Sequence, residues 1–233
     1  MIEQNFKFAA VIPFYNEAGK IDKVIKKTIK FVDLVICVDD GSTDNYLNNS
    51  FNLQNIILLH HNTNLGKGKA LKTGIDEAKK KNIDFVICLD GDLQHDPSFI
   101  PYFIKECTKY DLVIGKRNLR AKNMPVARRL SNFFSSKILS ILTGQNILDS
   151  QSGYRLINTK LFDNIVIKSY GFEAETELLL KVAFNKLSIG FIPITTLYSD
   201  KDDSKIRNID SIFGFIKIII ACLYERNKKN TNY

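Results

Sequence analysis

The chain of 233 residues is 45% hydrophobic and 25% charged, an ordinary balance for a soluble globular domain and too apolar for a disordered one. No run approaches the roughly 20 apolar residues that cross a bilayer, and the N-terminal MIEQNFKFAAVIPFYNE lacks the basic, apolar and small-residue sections of a secretion signal. The net charge of +8 is concentrated: between Gly115 and Arg155 eight basic residues (Lys116, Arg117, Arg120, Lys122, Arg128, Arg129, Lys137, Arg155) stand against the single Asp149, which points to an anionic partner.

Lys7 to Phe14 reads as a first strand, followed by the loop Tyr15-Asn16-Glu17 and an amphipathic helix over Gly19 to Phe31. Asp33 to Asp39 is a second buried strand that ends in Asp39-Asp40 and a Gly41-Ser42-Thr43-Asp44 turn. Asn55 to His60 is a third, and the loop HNTNLGKGKAL leads into a helix through about Lys81. Asp84 to Asp90 is a continuously apolar strand running into Asp90, Asp92, Gln94 and Asp96. A helix over Ser98 to Lys109 and a strand over Asp111 to Gly115 follow. The second half predicts a helix over Arg128 to Leu142, loop and strand over Asp149 to Ile157, a helix over Glu173 to Asn185 and a strand over Ser188 to Leu197. A charged loop, Asp200 to Asn208, precedes a long helix over Ile209 to Arg226.

Strands alternating with helices predict βαβ units and a mostly parallel central sheet flanked by helices, with ligands beyond the carboxyl ends of the strands. Those ends carry Pro13 to Glu17, Asp39 to Ser42, Asn62 to Gly68 and Asp90 to Asp92. Asp90 and Asp92 lie two apart, and carboxylate with amide oxygen suits a hard divalent cation such as Mg²⁺ or Mn²⁺. Solvated acids at a strand end are the alternative. A P-loop is excluded, because Gly68-Lys69 is followed by Ala70 and position 63 is Thr; a dinucleotide fingerprint fails because Leu71 replaces its third glycine. What survives is a helix opening at Gly66-Lys67-Gly68 whose free N–H groups can face a phosphate. The four cysteines show no CxxC spacing and read as reduced, buried thiols in a cytosolic protein without zinc.

In order, VIPFYNE (Val11–Glu17), VDDGSTD (Val38–Asp44), NLGKGKAL (Asn64–Leu71), LDGDLQHDP (Leu89–Pro97), GKR (Gly115–Arg117), ARRLSN (Ala127–Asn132), LTGQNILDSQSGYR (Leu142–Arg155), GFEAETELL (Gly171–Leu179) and SKIR (Ser204–Arg207) resemble glycosyltransferase family 2, of GT-A fold. Within that family they look most like the branch of dolichyl-phosphate mannose synthase and the bacterial polyprenyl-phosphate glycosyltransferases. The resemblance implies an inverting transfer of sugar from a nucleotide-diphospho-sugar. Pro13, Tyr15, Glu17 and Asp40 would hold the nucleoside, with Asp44 shaping that pocket and Lys67 near the diphosphate. Asp90, Asp92 and Gln94 would hold the metal. Arg117, Arg128 and Ser131 would meet the phosphate of a polyprenyl phosphate acceptor, with Lys205 and Arg207 closing over it. Gly91, Lys116 and Tyr154 depart from the residues frequent in the family, and many relatives carry transmembrane helices after this point. Residues 1–210 would form the GT-A domain and 211–233 an amphipathic helix and basic tail with no transmembrane span.

A phosphate monoester with a second pKa of roughly 6 is already anionic near neutral pH and needs no general base. A sugar-hydroxyl acceptor in a soluble relative would need a carboxylate, for which Glu173, Glu175 and Glu177 are placed, although acids at a helix start also suit its dipole. Asp149 is a further candidate. The three histidines, His60, His61 and His95, read as loop or strand-end residues. In the last helix Ile209, Ile212, Phe213, Ile216, Ile219, Ile220 and Leu223 follow helical spacing, Phe215 and Ile218 widen the apolar face, and Arg226, Lys228 and Lys229 follow. That face suits the inner surface of an anionic membrane, or packing on the domain or on a second copy in a homodimer. A nucleic-acid partner is not expected, since no recognised binding motif accompanies the basic segment.

Overall fold

The computed structural model describes residues 5–46, 51, 54–118, 124–196 and 208–231. Seven strands form one sheet in the order β3-β2-β1-β4-β6-β5-β7. They are β1 (Phe8–Phe14), β2 (Leu34–Asp39), β3 (Ile56–His60), β4 (Phe85–Cys88), β5 (Leu112–Arg117), β6 (Arg155–Asn158) and β7 (Ile189–Ile194). β1 pairs in parallel with β2 and β4, β2 with β3, and β5 with β7. β6 runs antiparallel to both β4 and β5 and joins the two halves.

The helices are α1 (Ile21–Thr28), α2 (Lys67–Lys80), α3 (Ile100–Lys105), α4 (Val126–Thr143), α5 (Glu173–Phe184) and α6 (Asn208–Thr231). Short 3₁₀ turns occupy Pro97–Phe99 and Thr159–Asp163. The strands alternate between two cores. Ala9, Val11, Ile36, Val38 and Val86 face Ala70, Ile75, Leu179 and Val182. Ala10, Ile12, Val35, Cys37 and Ile87 face Ile21, Val24, Ile25, Ile100 and Phe103. Burial on both faces explains why the parallel strands read as continuous apolar runs. Gly74 lies so close to β1 that a Cβ there would sit 2.4 Å from a Val11 methyl, which sets α2 hard against the sheet.

All four cysteines are free and buried, as expected. Among the described residues no helix is long and apolar enough to cross a membrane. The expected stripe on the last helix divides differently. Ile218 and Cys222 are buried, and Phe215 and Ile219 pack beside them, whereas Ile212, Phe213, Ile216, Ile220 and Tyr224 face outward. α6 is fastened to the body by Glu225, which pairs with Lys168 at 2.7 Å and Lys181 at 3.1 Å, and by Arg226 over the Phe184 ring. The helix over Arg128 to Leu142 forms, and of its apolar residues Leu130, Phe133, Phe134, Ile138, Leu139 and Ile141 only Leu139 is buried.

Glu177 is a larger correction. Its carboxylate is buried and accepts the N–H groups of Lys168 and Ser169 and the ammonium of Lys181, so it anchors the segment before α5 and does more than complement a helix dipole. Burial by itself would raise its pKa; the Lys181, Ser169 and Lys168 hydrogen bonds outweigh that and hold it below the ordinary value. A depressed carboxylate pKa stabilises the fold above the unfolded value, and that contribution is lost as pH falls through the folded one. Glu177→Gln is expected to cost about 1–3 kcal/mol at pH 7. Urea titrations of both proteins from about pH 7 to pH 3 should show the gap closing as Glu177 protonates; a gap independent of pH would refute this.

Candidate active site

The carboxyl edges of the parallel strands bring the predicted loops together. Asp39, at the end of β2, is fully buried and accepts hydrogen bonds from the Ser42 N–H at 2.8 Å, the Tyr46 hydroxyl at 2.8 Å and His60. Burial pushes its pKa up, but those bonds hold it below the usual range. Asp40 is aimed at the loop ahead of α2: Oδ1 accepts the Leu65 N–H at 3.0 Å and Oδ2 the Gly66 N–H at 2.8 Å, with His61 Nδ1 2.8 Å from Oδ1. Both oxygens are therefore engaged in shaping residues 64–66. Asp44 accepts the Ala18 N–H at 2.8 Å, and Asn16, at φ 55°, accepts the Thr43 N–H at 2.8 Å. These bonds tie the Pro13-to-Glu17 loop to the Gly41-to-Asp44 turn. Pro13 is buried at the end of β1, Tyr15 stands open at the edge, and Glu17 pairs with Lys20 at 3.0 Å. Gly41, at φ 76°, is pressed against Thr63, where a Cβ would meet backbone at 2.5 Å.

Lys67 is the centre of the site. Its ammonium lies 2.6 Å from Asp90 Oδ1 and 2.8 Å from Glu175 Oε1, with the Phe172 ring 5.6 Å away. Burial opposes its charge, but Asp90 and Glu175 together raise its pKa and keep it protonated. Gly153 backs onto this group: a Cβ there would sit 2.7 Å from Glu175 Oε1 and 2.8 Å from Lys67 Nζ. Gly66, at φ 97°, abuts the Tyr170 carbonyl, which also accepts the Lys69 N–H at 3.1 Å. The start of α2 is thus held by the segment that Glu177 anchors.

Asp90 and Asp92 flank Gly91, which packs against Phe14. Asp92 Oδ1 accepts the Gln94 N–H at 2.9 Å, and Leu93 takes a left-handed φ of 69° that folds the three donor residues into one turn. Burial raises both carboxyls. For Asp90 the Lys67 ammonium wins and holds it at about 2. For Asp92 burial and the Asp90 charge add, and it is pushed up to about 6. Lys67 answers the charge of Asp90, but the ionised Asp92 beside it in the same desolvated turn adds a second negative charge, and the two carboxylates together suit a hard divalent cation. Among the described residues no third His, Cys, Asp or Glu completes the cluster. Gln94, whose N–H Asp92 accepts, brings a side-chain amide to the same turn.

His95, which reads from sequence as a loop residue, is a buried strut. Its Nδ1 accepts the Asp90 N–H at 3.1 Å, and its ring stacks on Tyr154 at 5.0 Å. Burial lowers its pKa and favours the neutral form that this bond requires.

On the other side of the sheet edge stands Arg117, at the end of β5. Asp149, with no exposed side-chain surface, grips it through Nε at 2.8 Å, Nη2 at 2.9 Å and the backbone N–H at 3.1 Å. Asp149 also accepts the Gln151 N–H, and Gln151 Nε2 donates to Ser131 Oγ at 3.0 Å. The 149–151 loop therefore links Arg117 to Ser131 on α4, one turn beyond Arg128. Arg155 does not belong to the surface surplus: it is 2% exposed and donates to the Ser152, Glu175 and Ser150 carbonyls. Arg120, Lys122, Lys205 and Arg207 lie outside the described residues.

A mostly parallel sheet with acidic strand ends, a lysine-headed helix and a second cationic group across one crevice is the architecture of an enzyme that handles nucleotide-sugars. Residues 9–166 match the family model described as glycosyl transferase family 2, and the chain belongs to that family. It is a glycosyltransferase of GT-A fold, as its motifs imply. Among its relatives is the UDP-N-acetylglucosamine–dolichyl-phosphate N-acetylglucosaminyltransferase of Methanococcus voltae, 31% identical with 88% of this chain and 90% of that protein covered. Glycosyltransferase AglJ of Haloferax volcanii is 28% identical, with 94% and 71% covered. In structure the chain is similar to glucosyl-3-phosphoglycerate synthase from Mycobacterium tuberculosis in complex with Mg²⁺ and UDP, with a TM-score of 0.71, 21% identity, and 95% and 79% of the two chains covered.

Proposed function

We propose that the enzyme moves a sugar, with inversion, from a nucleotide-diphospho-sugar to a polyprenyl phosphate. One observation carries the choice of acceptor. Glu175, the carboxylate best placed to activate a hydroxyl, is spent on Lys67 at 2.8 Å, while the group across the crevice is the clamped arginine Arg117. A site with its carboxylate neutralised and an oriented guanidinium is suited to an acceptor that is already anionic. The dolichyl-phosphate relative acts on such a lipid, which supports the same reading.

Pro13, Tyr15, Glu17 and Asp44 line the nucleoside end, with Asp40 fixing the loop beside it. Lys67 offers its ammonium to the diphosphate. Asp90, Asp92 and Gln94 would hold Mg²⁺ or Mn²⁺, which supplies positive charge to the departing diphosphate. Arg117, with Nε and Nη2 held by Asp149, and Arg128 with Ser131 one turn along α4, receive the acceptor phosphate. Its oxygen attacks the anomeric carbon from the face opposite the leaving diphosphate. The family resemblance assigns Lys205 and Arg207, outside the described residues, to the same acceptor phosphate. The work is done at the cytoplasmic face of the membrane.

The test is incubation with Mn²⁺, labelled UDP-N-acetylglucosamine, UDP-glucose or GDP-mannose, and a short-chain polyprenyl phosphate. Expected is a chloroform-soluble sugar-phosphate product that does not form in EDTA. Transfer to a glycan hydroxyl with no lipid product would overturn the proposal in favour of a base-assisted relative.

A further inference from the structure

Phe172 is a large apolar ring held toward solvent on a pinned backbone. It stands just ahead of α5, is 48% exposed, and among the described residues packs in neither core. The segment that carries it is fixed from two sides. Glu177 accepts the Lys168 and Ser169 N–H groups, and the Tyr170 carbonyl accepts the Lys69 N–H at 3.1 Å. From the other side α2 presses in. A Cβ at Gly68 would sit 2.7 Å from the Ser169 carbonyl oxygen and 2.8 Å from that of Gly171. Glu173 then folds back and accepts the Gly171 N–H at 3.3 Å. A lone exposed aromatic ring needs no explanation. One that is fixed beside a catalytic lysine does.

The ring centre lies 5.6 Å from Lys67 Nζ, which is itself 2.6 Å from Asp90 Oδ1. A phosphate oxygen held by that ammonium stands about 3 Å from Nζ. The group that the diphosphate carries therefore begins no more than about 9 Å from the ring centre. One pyranose and its van der Waals contact fill that gap. A nucleobase would stack on such a ring too, but its end of the site is elsewhere. α5 brings Glu175 to Gly153 at the entry to β6, across β1 and β4 from Asp40 at the end of β2.

The chemistry of the place suits a sugar. The face of a phenylalanine ring is electron-rich, and the C–H bonds on one side of a pyranose are its apolar, weakly positive surface. Glu175, an acceptor of hydroxyl protons, stands on the same ammonium at 2.8 Å. An apolar floor with few polar groups at its edge is how small-molecule subsites are made.

We infer that Phe172 is the floor of the donor-sugar subsite, with a C–H face of the hexopyranose laid on its ring. Stacking fixes the plane of the sugar, and with it the direction in which the anomeric carbon meets the attacking oxygen. The inference rests on the reading of Lys67 as the lysine of the diphosphate. It does not depend on the acceptor.

Calorimetric titration in Mn²⁺ with UDP, GDP, UDP-N-acetylglucosamine, UDP-glucose and GDP-mannose identifies the donor that wild type binds. Phe172→Ala is expected to bind the bare nucleoside diphosphate as wild type does and to lose about tenfold in affinity for the sugar-bearing one. Phe172→Tyr keeps the aromatic face and should restore it. Equal losses for both ligands would make the ring a support for Lys67 and overturn the inference. So would a Phe172→Ala protein that binds the sugar nucleotide as tightly as wild type. Wild type that binds none of the five ligands removes the donor reading itself, and the subsite with it.

Discussion

Asp92→Asn is expected to lower the metal-stimulated transfer rate by about 10³-fold, ~4 kcal/mol of barrier, while raising the melting temperature of the protein in EDTA. The two effects have one cause. Asp92 is desolvated beside Asp90, and its carboxyl is pushed up to about 6. In the folded protein its ionisation is costly, so the metal-free fold loses stability as pH rises from the unfolded value, near 4, through about 6. The amide removes that cost and with it the charge that would attract a divalent cation. The gain should be present at pH 7.5 and vanish below about pH 4, where both forms are neutral. Thermal melts of both proteins with and without Mn²⁺ make the check. Equal stabilisation by Mn²⁺ in the variant would remove Asp92 from the metal site.

Lys67→Met is expected to cost about 3 kcal/mol of stability and most of the donor affinity. The ammonium is shared by Asp90 and Glu175, with 16% of the lysine side chain exposed. Removing it leaves two largely buried carboxylates facing each other across Gly153, and breaking a buried pair from one side leaves uncompensated charge. Asp90, held at about 2 chiefly by Lys67 against burial, would then rise. Adding Glu175→Gln should recover a good part of the stability, because one of the two stranded charges is gone, but none of the donor affinity. Urea melts together with UDP titration separate the outcomes. Failure of Glu175→Gln to recover stability would mean that the cost of losing Lys67 arises elsewhere.

The parallel half of the fold was legible because its strands are buried on both faces. Phe85 to Cys88 and Leu34 to Asp39 declare themselves by continuous apolarity, and their acidic ends mark the ligand edge. β6 is less legible: Arg155 opens it, and its antiparallel pairing to β4 and β5 depends on partners distant in the chain. The direction of α4 was illegible for a different reason. A periodic stripe shows that one face is apolar but not what that face meets, and here the small hydroxyls bind the 149–152 loop instead. Asp90, Asp92 and Lys67 could be found from spacing and resemblance, and the structure gathers them. The roles of His95, Gly153 and Glu177 could not, since each acts on backbone or on a neighbour's charge. The Gly153-Tyr154-Arg155 sequence at the entry to β6 is the one local hint, a residue without a side chain beside a buried arginine.

The antiparallel strand has a consequence for synthesis. β3, β2, β1 and β4 lie side by side and are complete once residue 88 has been made. β5 is made next but has no place beside them, because β6 must lie between and comes about 40 residues later. On the ribosome the half that carries Asp40 and Asp90 can therefore assemble first, with the exposed edge of β4 waiting for β6. Lys67 emerges with that half, more than a hundred residues ahead of Glu175. Until α5 arrives, its charge has Asp90 alone to answer it, so the site closes only after β6 has joined the two halves of the sheet.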